Sequence, residues 1–173
     1  MSASLVCHVL IGPPGSGKST FANLLTQLDP TALIVSTDQI RRKLFGDETL
    51  QGDWLLIEAK VLAQIREAIQ SGHSVIYDAT NAKKEWRLSL LKQIADENGQ
   101  WIGWHLETPL ELCKAWNKKR TRQVPERVIE ELFRALQENP PHESEGFIAI
   151  NSVNLMAENF DIQVIKNMIK MHY

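Results

Sequence analysis

Apolar residues in this chain fall into short runs separated by longer stretches in which they recur every three or four positions. Residues 5–11 form the first run, LVCHVLI, and Gly12-Pro13-Pro14-Gly15 stops it, as turn residues stop a buried strand. Residues 32–36, 74–77, 101–106 and 147–150 are similar β-branched or apolar runs and predict four more strands.

The intervening stretches read as helices. One begins near Lys18, and another begins at Gln39-Ile40-Arg41. Trp54, Ile57, Val61, Leu62, Ile65 and Ile69 make one apolar stripe, with Glu58, Gln64 and Arg66 off it. Residues 84–98 carry Trp86, Leu90, Leu91 and Ile94 at helical spacing, and Gly99 stands where a C′ stop is expected. Residues 110–119 and 126–138 suggest two more helices, Asn139-Pro140-Pro141-His142 a loop, and the tail after Asn151 suits a helix or a strand followed by a helix. Strands alternating with helices imply crossover connections, hence a mostly parallel sheet of about five strands with helices on both faces. In such α/β sheets ligands bind at the carboxyl ends of the strands.

Composition narrows the class. Of 173 residues 43% are hydrophobic and 23% charged, near the globular average, so disordered and collagen-like chains are excluded. One domain over 1–173 is expected. No run approaches the eighteen or so apolar residues of a membrane span. Met1 to His8 lacks the basic region and small-residue cleavage site of a secretory signal. Two isolated cysteines, Cys7 and Cys113, make no disulfide framework, and the expectation is a reducing, cytoplasmic setting. The histidines are scattered and match no metal spacing. A net charge of −2 argues against a broad nucleic-acid-coating face. Yet Lys114, Lys118, Lys119, Arg120, Arg122 and Arg127 crowd one short segment, which keeps a local anion site open.

Gly12-Pro13-Pro14-Gly15-Ser16-Gly17-Lys18-Ser19, followed by Thr20, satisfies the phosphate-loop pattern G-x-x-x-x-G-K-[ST] at every fixed position. The strand before and the helix after supply the required context. Glycines let successive N–H groups curl around phosphate oxygens, and the helix adds its positive N-terminal end. Lys18 would reach the β- and γ-phosphates of ATP, and the Ser19 hydroxyl would ligate magnesium. A third glycine of the dinucleotide fingerprint is missing after Gly17.

Two carboxylates stand at strand ends. The second strand ends in Ser36-Thr37-Asp38, beside the place where an acceptor hydroxyl must meet the γ-phosphate. Asp38 would orient that hydroxyl and take its proton, or alternatively cap the helix that follows. The third strand delivers Tyr77-Asp78-Ala79-Thr80-Asn81. There Asp78 suits a magnesium or its water shell, or an Asx turn, and Thr80 and Asn81 offer hydrogen bonds to the acceptor or close the loop. Arg120-Thr121-Arg122-Gln123-Val124-Pro125 reads as a lid, spanning about 117–136, that brings guanidinium groups onto the triphosphate, or as a solvated basic helix end.

Together the phosphate loop, Ser36-Thr37-Asp38 with Arg41, Asp78-Ala79-Thr80-Asn81, Asn117-Lys118-Lys119-Arg120-Thr121-Arg122-Gln123-Val124 and Glu145-Gly146-Phe147 resemble the kinase domain of polynucleotide 5′-hydroxyl kinases. The resemblance runs from Val6 to about Ile150. It implies a three-layer α/β P-loop fold, ATP and magnesium as cofactors, and a nucleic-acid 5′ end as acceptor. By residue, it implies Lys18 and Ser19 on phosphate and magnesium, Asp38 as base, Arg41 on an acceptor phosphate, Asp78 behind the metal, and Arg120 with Arg122 as clamp. Small-molecule kinases share the phosphate-loop and Ser-Thr-Asp signatures, so a sugar, nucleoside or antibiotic hydroxyl is the second expectation. An ATP-binding switch without an acceptor is the third.

Overall fold

A computed structural model describes residues 4–48 and 50–173; Met1–Ala3, part of the N-terminal stretch read above for a secretory signal, and Thr49 lie outside the described residues. In chain order the elements are β1 (Leu5–Ile11), α1 (Lys18–Leu28), β2 (Leu33–Ser36), α2 (Thr37–Phe45), α3 (Trp54–Gln70), β3 (Val75–Asp78) and α4 (Lys84–Gln93). Then follow β4 (Gly99–Leu106), α5 (Leu110–Lys118), α6 (Glu126–Glu138), a 3₁₀ turn (Glu143–Glu145), β5 (Ala149–Val153) and α7 (Ile162–Lys170). The strands form one parallel sheet in the order β2-β3-β1-β4-β5. Because β1 lies at the centre, between β3 and β4, the loop after β1 sits in the middle of the sheet's carboxyl edge.

Alternation along β1 divides the core. Cys7, Val9 and Ile11 pack on one face with Ile40, Ile57, Ile65, Leu90 and Leu132 from α2, α3, α4 and α6. Val6 and Leu10 pack on the other with Phe21 and Leu25 of α1 and Ile165 and Ile169 of α7. Residues one apart on a strand face opposite sides, so this seven-residue run supplies both layers. His8 shares the second face: the Trp104 indole N–H donates to its Nδ1 at 3.0 Å. Burial pushes His8 down to about 4, so it stays neutral and accepts that bond.

Several boundaries differ from the sequence reading. The helix expected over 84–98 stops at Gln93, and Gly99 does not terminate it but opens β4, opposite Leu5. Glycine suits that position because a Cβ there would lie 3.2 Å from Ile69 Cδ1 and 3.3 Å from Trp101 Nε1. The last strand begins at Ala149 rather than 147, and Phe147 packs into the core ahead of it. The tail forms one helix, α7, capped by Asp161, whose carboxylate accepts from Gln163 N at 2.8 Å. Among the described residues no helix is long and apolar enough to cross a membrane.

Candidate active site

The loop after β1 turns through residues 12–17 into α1. Gly15 and Gly17 have φ of 79° and 93°, which L side chains rarely adopt. A Cβ on Gly15 would meet the Cys113 carbonyl oxygen at 2.2 Å, so α5 packs directly on the loop's backbone. Gly17 is the N-cap of α1, whose first amides have no partner within the helix and give the loop its affinity for anions. Ser16 is fully buried: its carbonyl accepts from Thr108 Oγ1 at 2.7 Å, while its Oγ has no partner among the described residues. Pro14, Ser19 and Thr20 line the cleft outside this loop.

Lys18 curls back over the loop, donating to the carbonyls of Gly12 at 3.0 Å and Pro13 at 2.9 Å. Desolvation pushes its ammonium down to about 8; the carboxylate of Asp78 opposes the shift, and Arg120 adds to it. A cation so poorly solvated gains strongly from a nearby anion, which is what a phosphate supplies.

Asp78 ends β3 directly opposite Ser36 of β2, and the backbone after it is tied to the loop by a Gly12 N–H to Thr80 carbonyl bond of 3.0 Å. Ser19 Oγ donates to Asp78 Oδ2 at 2.9 Å. Burial raises Asp78 above the usual carboxylate range, with Lys18 and the Ser19 hydrogen bond opposing. Hydroxyl and carboxylate are both hard oxygen donors, and magnesium in phosphate sites takes few protein ligands, so this pair fits that ion. Asn81 is buried at φ 49°, and its amide donates to the carbonyls of Leu10 at 2.8 Å and Ala79 at 3.2 Å. Both amide hydrogens are therefore spent on closing the loop, while Asn81 and Thr80 both line the cleft.

Asp38 does not cap its helix. Ser36 is the N-cap of α2, accepting from Gln39 N at 3.4 Å, and Asp38 lies one residue inside the first turn. Its carboxylate instead gathers arginines. Arg122 Nη1 lies 2.6 Å and Arg41 Nη1 3.1 Å from Oδ1, while Arg120 Nη2 stands 3.6 Å from Oδ2. Oδ2 is thus the less engaged oxygen.

Arg120 and Arg122 come from the connection between α5 and α6. Asn117 clasps this connection: its Nδ2 donates to the Val124 carbonyl at 2.8 Å, and its Oδ1 accepts from Val124 N at 3.0 Å. The basic segment is split by pairing. Lys114 binds Glu130 at 2.6 Å and Lys118 binds Glu126 at 3.1 Å, which ties the hairpin together, whereas the two arginines turn toward Asp38.

Lys18, Ser19, Asp38, Arg41, Asp78, Arg120 and Arg122 line one cleft of about 720 Å³. The cleft lining also includes residues that the sequence reading assigned to helix cores. Trp54 and Trp86 face the cleft and are 46% and 43% exposed. The available signal was position: both lie in the first turn of a crossover helix, and helix N-termini stand at the carboxyl edge of a parallel sheet, beside the ligand site. Arg87 was also missed. It is fully buried on α4, donating through Nε and Nη2 to Glu145 at 2.7 and 2.8 Å and through Nη1 to the carbonyls of Asn81 and Ala82. Glu145 within Glu145-Gly146-Phe147 is its partner, which gives that motif a physical reason.

The family model described as AAA domain matches residues 7–139. The chain is also similar to the L-seryl-tRNA(Sec) kinase of Methanococcus maripaludis, 26% identical over 129 residues that cover 72% of this chain and 50% of that protein. It thus spans about half the length of that curated relative. Among solved structures, a chain of the Pnkp1/Rnl/Hen1 RNA repair complex superposes with a TM-score of 0.72 at 23% identity, over 80% of this chain and 46% of that one. Kti12 from Chaetomium thermophilum, in complex with ADP-AlF3, superposes with a TM-score of 0.70 at 16% identity, over 96% and 98%. At these identities the structural likeness speaks to the fold alone, which is that of P-loop kinases.

Proposed function

The chain belongs to the AAA domain family, and from that premise we propose that it is an ATP- and magnesium-dependent kinase acting on a hydroxyl, with the 5′-hydroxyl end of a polynucleotide as its acceptor. The observation that carries this reading is the Asp38 carboxylate in the cleft lining with the phosphate loop, held on one oxygen by Arg41 and Arg122 and with Arg120 only at 3.6 Å from the other. The acceptor oxygen attacks the γ-phosphorus, the bond to the bridging oxygen of ADP breaks, and the acceptor proton passes to Asp38 Oδ2. Acid–base help of this kind contributes about 10² to 10⁴ in rate, with positioning and charge neutralisation adding the rest.

Lys18, Arg120 and Arg122 stabilise charge on the transferred group, the arginines from the α5–α6 hairpin acting as a lid. Ser19, with Asp78 behind it, would hold magnesium, which would supply charge neutralisation to the triphosphate. Arg41 stands one helical turn from Asp38 and takes an acceptor phosphate, which a polynucleotide end provides next to its hydroxyl. The names of two similar proteins, an aminoacyl-tRNA kinase and an RNA repair complex, support an acceptor of nucleic acid.

A small hydroxyl acceptor is the second reading, favoured by Glu58 and Glu131 in the cleft lining, since carboxylates repel a long polyanion. Incubation with γ-labelled ATP and 5′-hydroxyl RNA and DNA oligonucleotides, beside a panel of sugars and nucleosides, separates the two. Label on the oligonucleotide 5′ end is the expected result, and label only on a small metabolite moves the acceptor to the second reading.

A further inference from the structure

We propose that Trp54 and Trp86 form a stacking subsite for a planar heterocycle, the base of the acceptor's terminal nucleotide. The inference rests on the polynucleotide reading and adds what that reading leaves open, namely how the acceptor is held beyond its hydroxyl and its phosphate. Each tryptophan continues an apolar stripe whose other members are buried, Ile57 and Val61 on α3 and Leu90 and Leu91 on α4. Each stands out of the core instead, lining the cleft that also contains Asp38 and Arg41.

Large indole faces left half in water gain from a flat partner, and bases stack on aromatic side chains with little regard to sequence. Trp86 is also held in place. The Lys83 ammonium lies 5.2 Å from its ring centre and 3.0 Å from Glu131 of α6, so the ring is fixed between its own helix and the hairpin that carries the arginines. A simple hydroxy acid has no flat face to use such a wall. A nucleotide whose 5′-hydroxyl meets Asp38 and whose 3′-phosphate meets Arg41 has its base left to place, and the aromatic wall is on offer in the same cleft.

The test compares two acceptors on the intact chain, each supplied both as RNA and as DNA: a 5′-hydroxyl homopyrimidine oligonucleotide, and the same oligonucleotide with an abasic 5′-terminal residue. The wild type is expected to use the abasic acceptor with a kcat/KM lower by roughly tenfold or more, mainly through KM. Trp54→Ala and Trp86→Ala are expected to erase that preference, and Trp54→Phe and Trp86→Phe to keep most of it. Far-ultraviolet circular dichroism identifies any alanine variant that has lost its fold, and the wild-type comparison stands without the variants. Equal use of both acceptors by the wild type overturns the stacking subsite and leaves the kinase reading intact. Labelling of neither oligonucleotide overturns the polynucleotide reading, and the subsite with it.

Discussion

Two of the guanidinium–carboxylate sites among the described residues are built on opposite principles. Arg87 and Glu145 meet one to one, both buried, and the remaining guanidinium hydrogens are taken by the carbonyls of Asn81, Ala82 and Asn139. Nothing is left over for a ligand. Around Asp38, three arginines from two parts of the chain share one partly exposed carboxylate, with Lys18 nearby in its loop. That excess of positive charge is unfavourable without an anion and suits a triphosphate. Balanced pairing fixes the loop after β3, and unbalanced pairing prepares a site.

The comparison breaks most sharply at Arg87. Arg87→Ala strands a buried carboxylate, and urea unfolding is expected to show a loss of about 3–5 kcal/mol. Arg87→Met combined with Glu145→Leu should recover much of it, because neither charge is then buried. A loss no larger than that of an ordinary surface pair would remove the distinction between the two sites.

Asp38→Asn should give the reverse pattern. Transfer is expected to fall by about 10² to 10⁴ in kcat, while the free energy of unfolding changes by about 1 kcal/mol or less, because this carboxylate is partly solvated. Nucleotide affinity should stay close to wild type. Normal turnover in the asparagine variant would leave Asp38 with no part in the chemistry.

Proton titration sharpens the structural side. His8 is held well below its ordinary value of 6.5, at about 4, so the unfolded chain binds a proton there that the folded chain refuses. Its contribution to stability is complete above about pH 6.5 and is lost as the pH falls toward 4, on the order of 3 kcal/mol across that window. His8→Gln, measured by thermal unfolding at pH 5 and pH 7.5, should flatten that slope. An unchanged slope would assign the acid sensitivity to other groups.

The smallest effect is expected at Arg122→Lys. Lysine keeps the charge and loses the planar fork, so kcat should fall by roughly tenfold while stability is nearly unchanged.

Much of this arrangement could be read from the chain. The phosphate loop and the two carboxylates follow from strands ending at Ile11, Ser36 and Asp78, because a parallel sheet gathers those ends at one edge. What escaped was decided by tertiary packing. Gly99 resembled a helix stop, but pairing opposite Leu5 of β1 makes it the start of a strand. Arg87 left no trace in the hydrophobic pattern, since a buried guanidinium is revealed only by the partner that satisfies it, 58 residues away. Trp54 and Trp86 fitted a helical stripe perfectly well, and periodicity cannot tell a core position from a cleft wall at the helix's first turn.

A loop that grips a triphosphate through Lys18 is the centre of the proposed chemistry, and calorimetric titration of ATP with magnesium into the wild type and Lys18→Met tests it most directly. The prediction is saturable uptake at one site in the wild type and its loss in the variant, whose thermal stability should equal or exceed the wild type's because a poorly solvated ammonium has been removed. No heat of binding in the wild type, or the same uptake in both proteins, would contradict it.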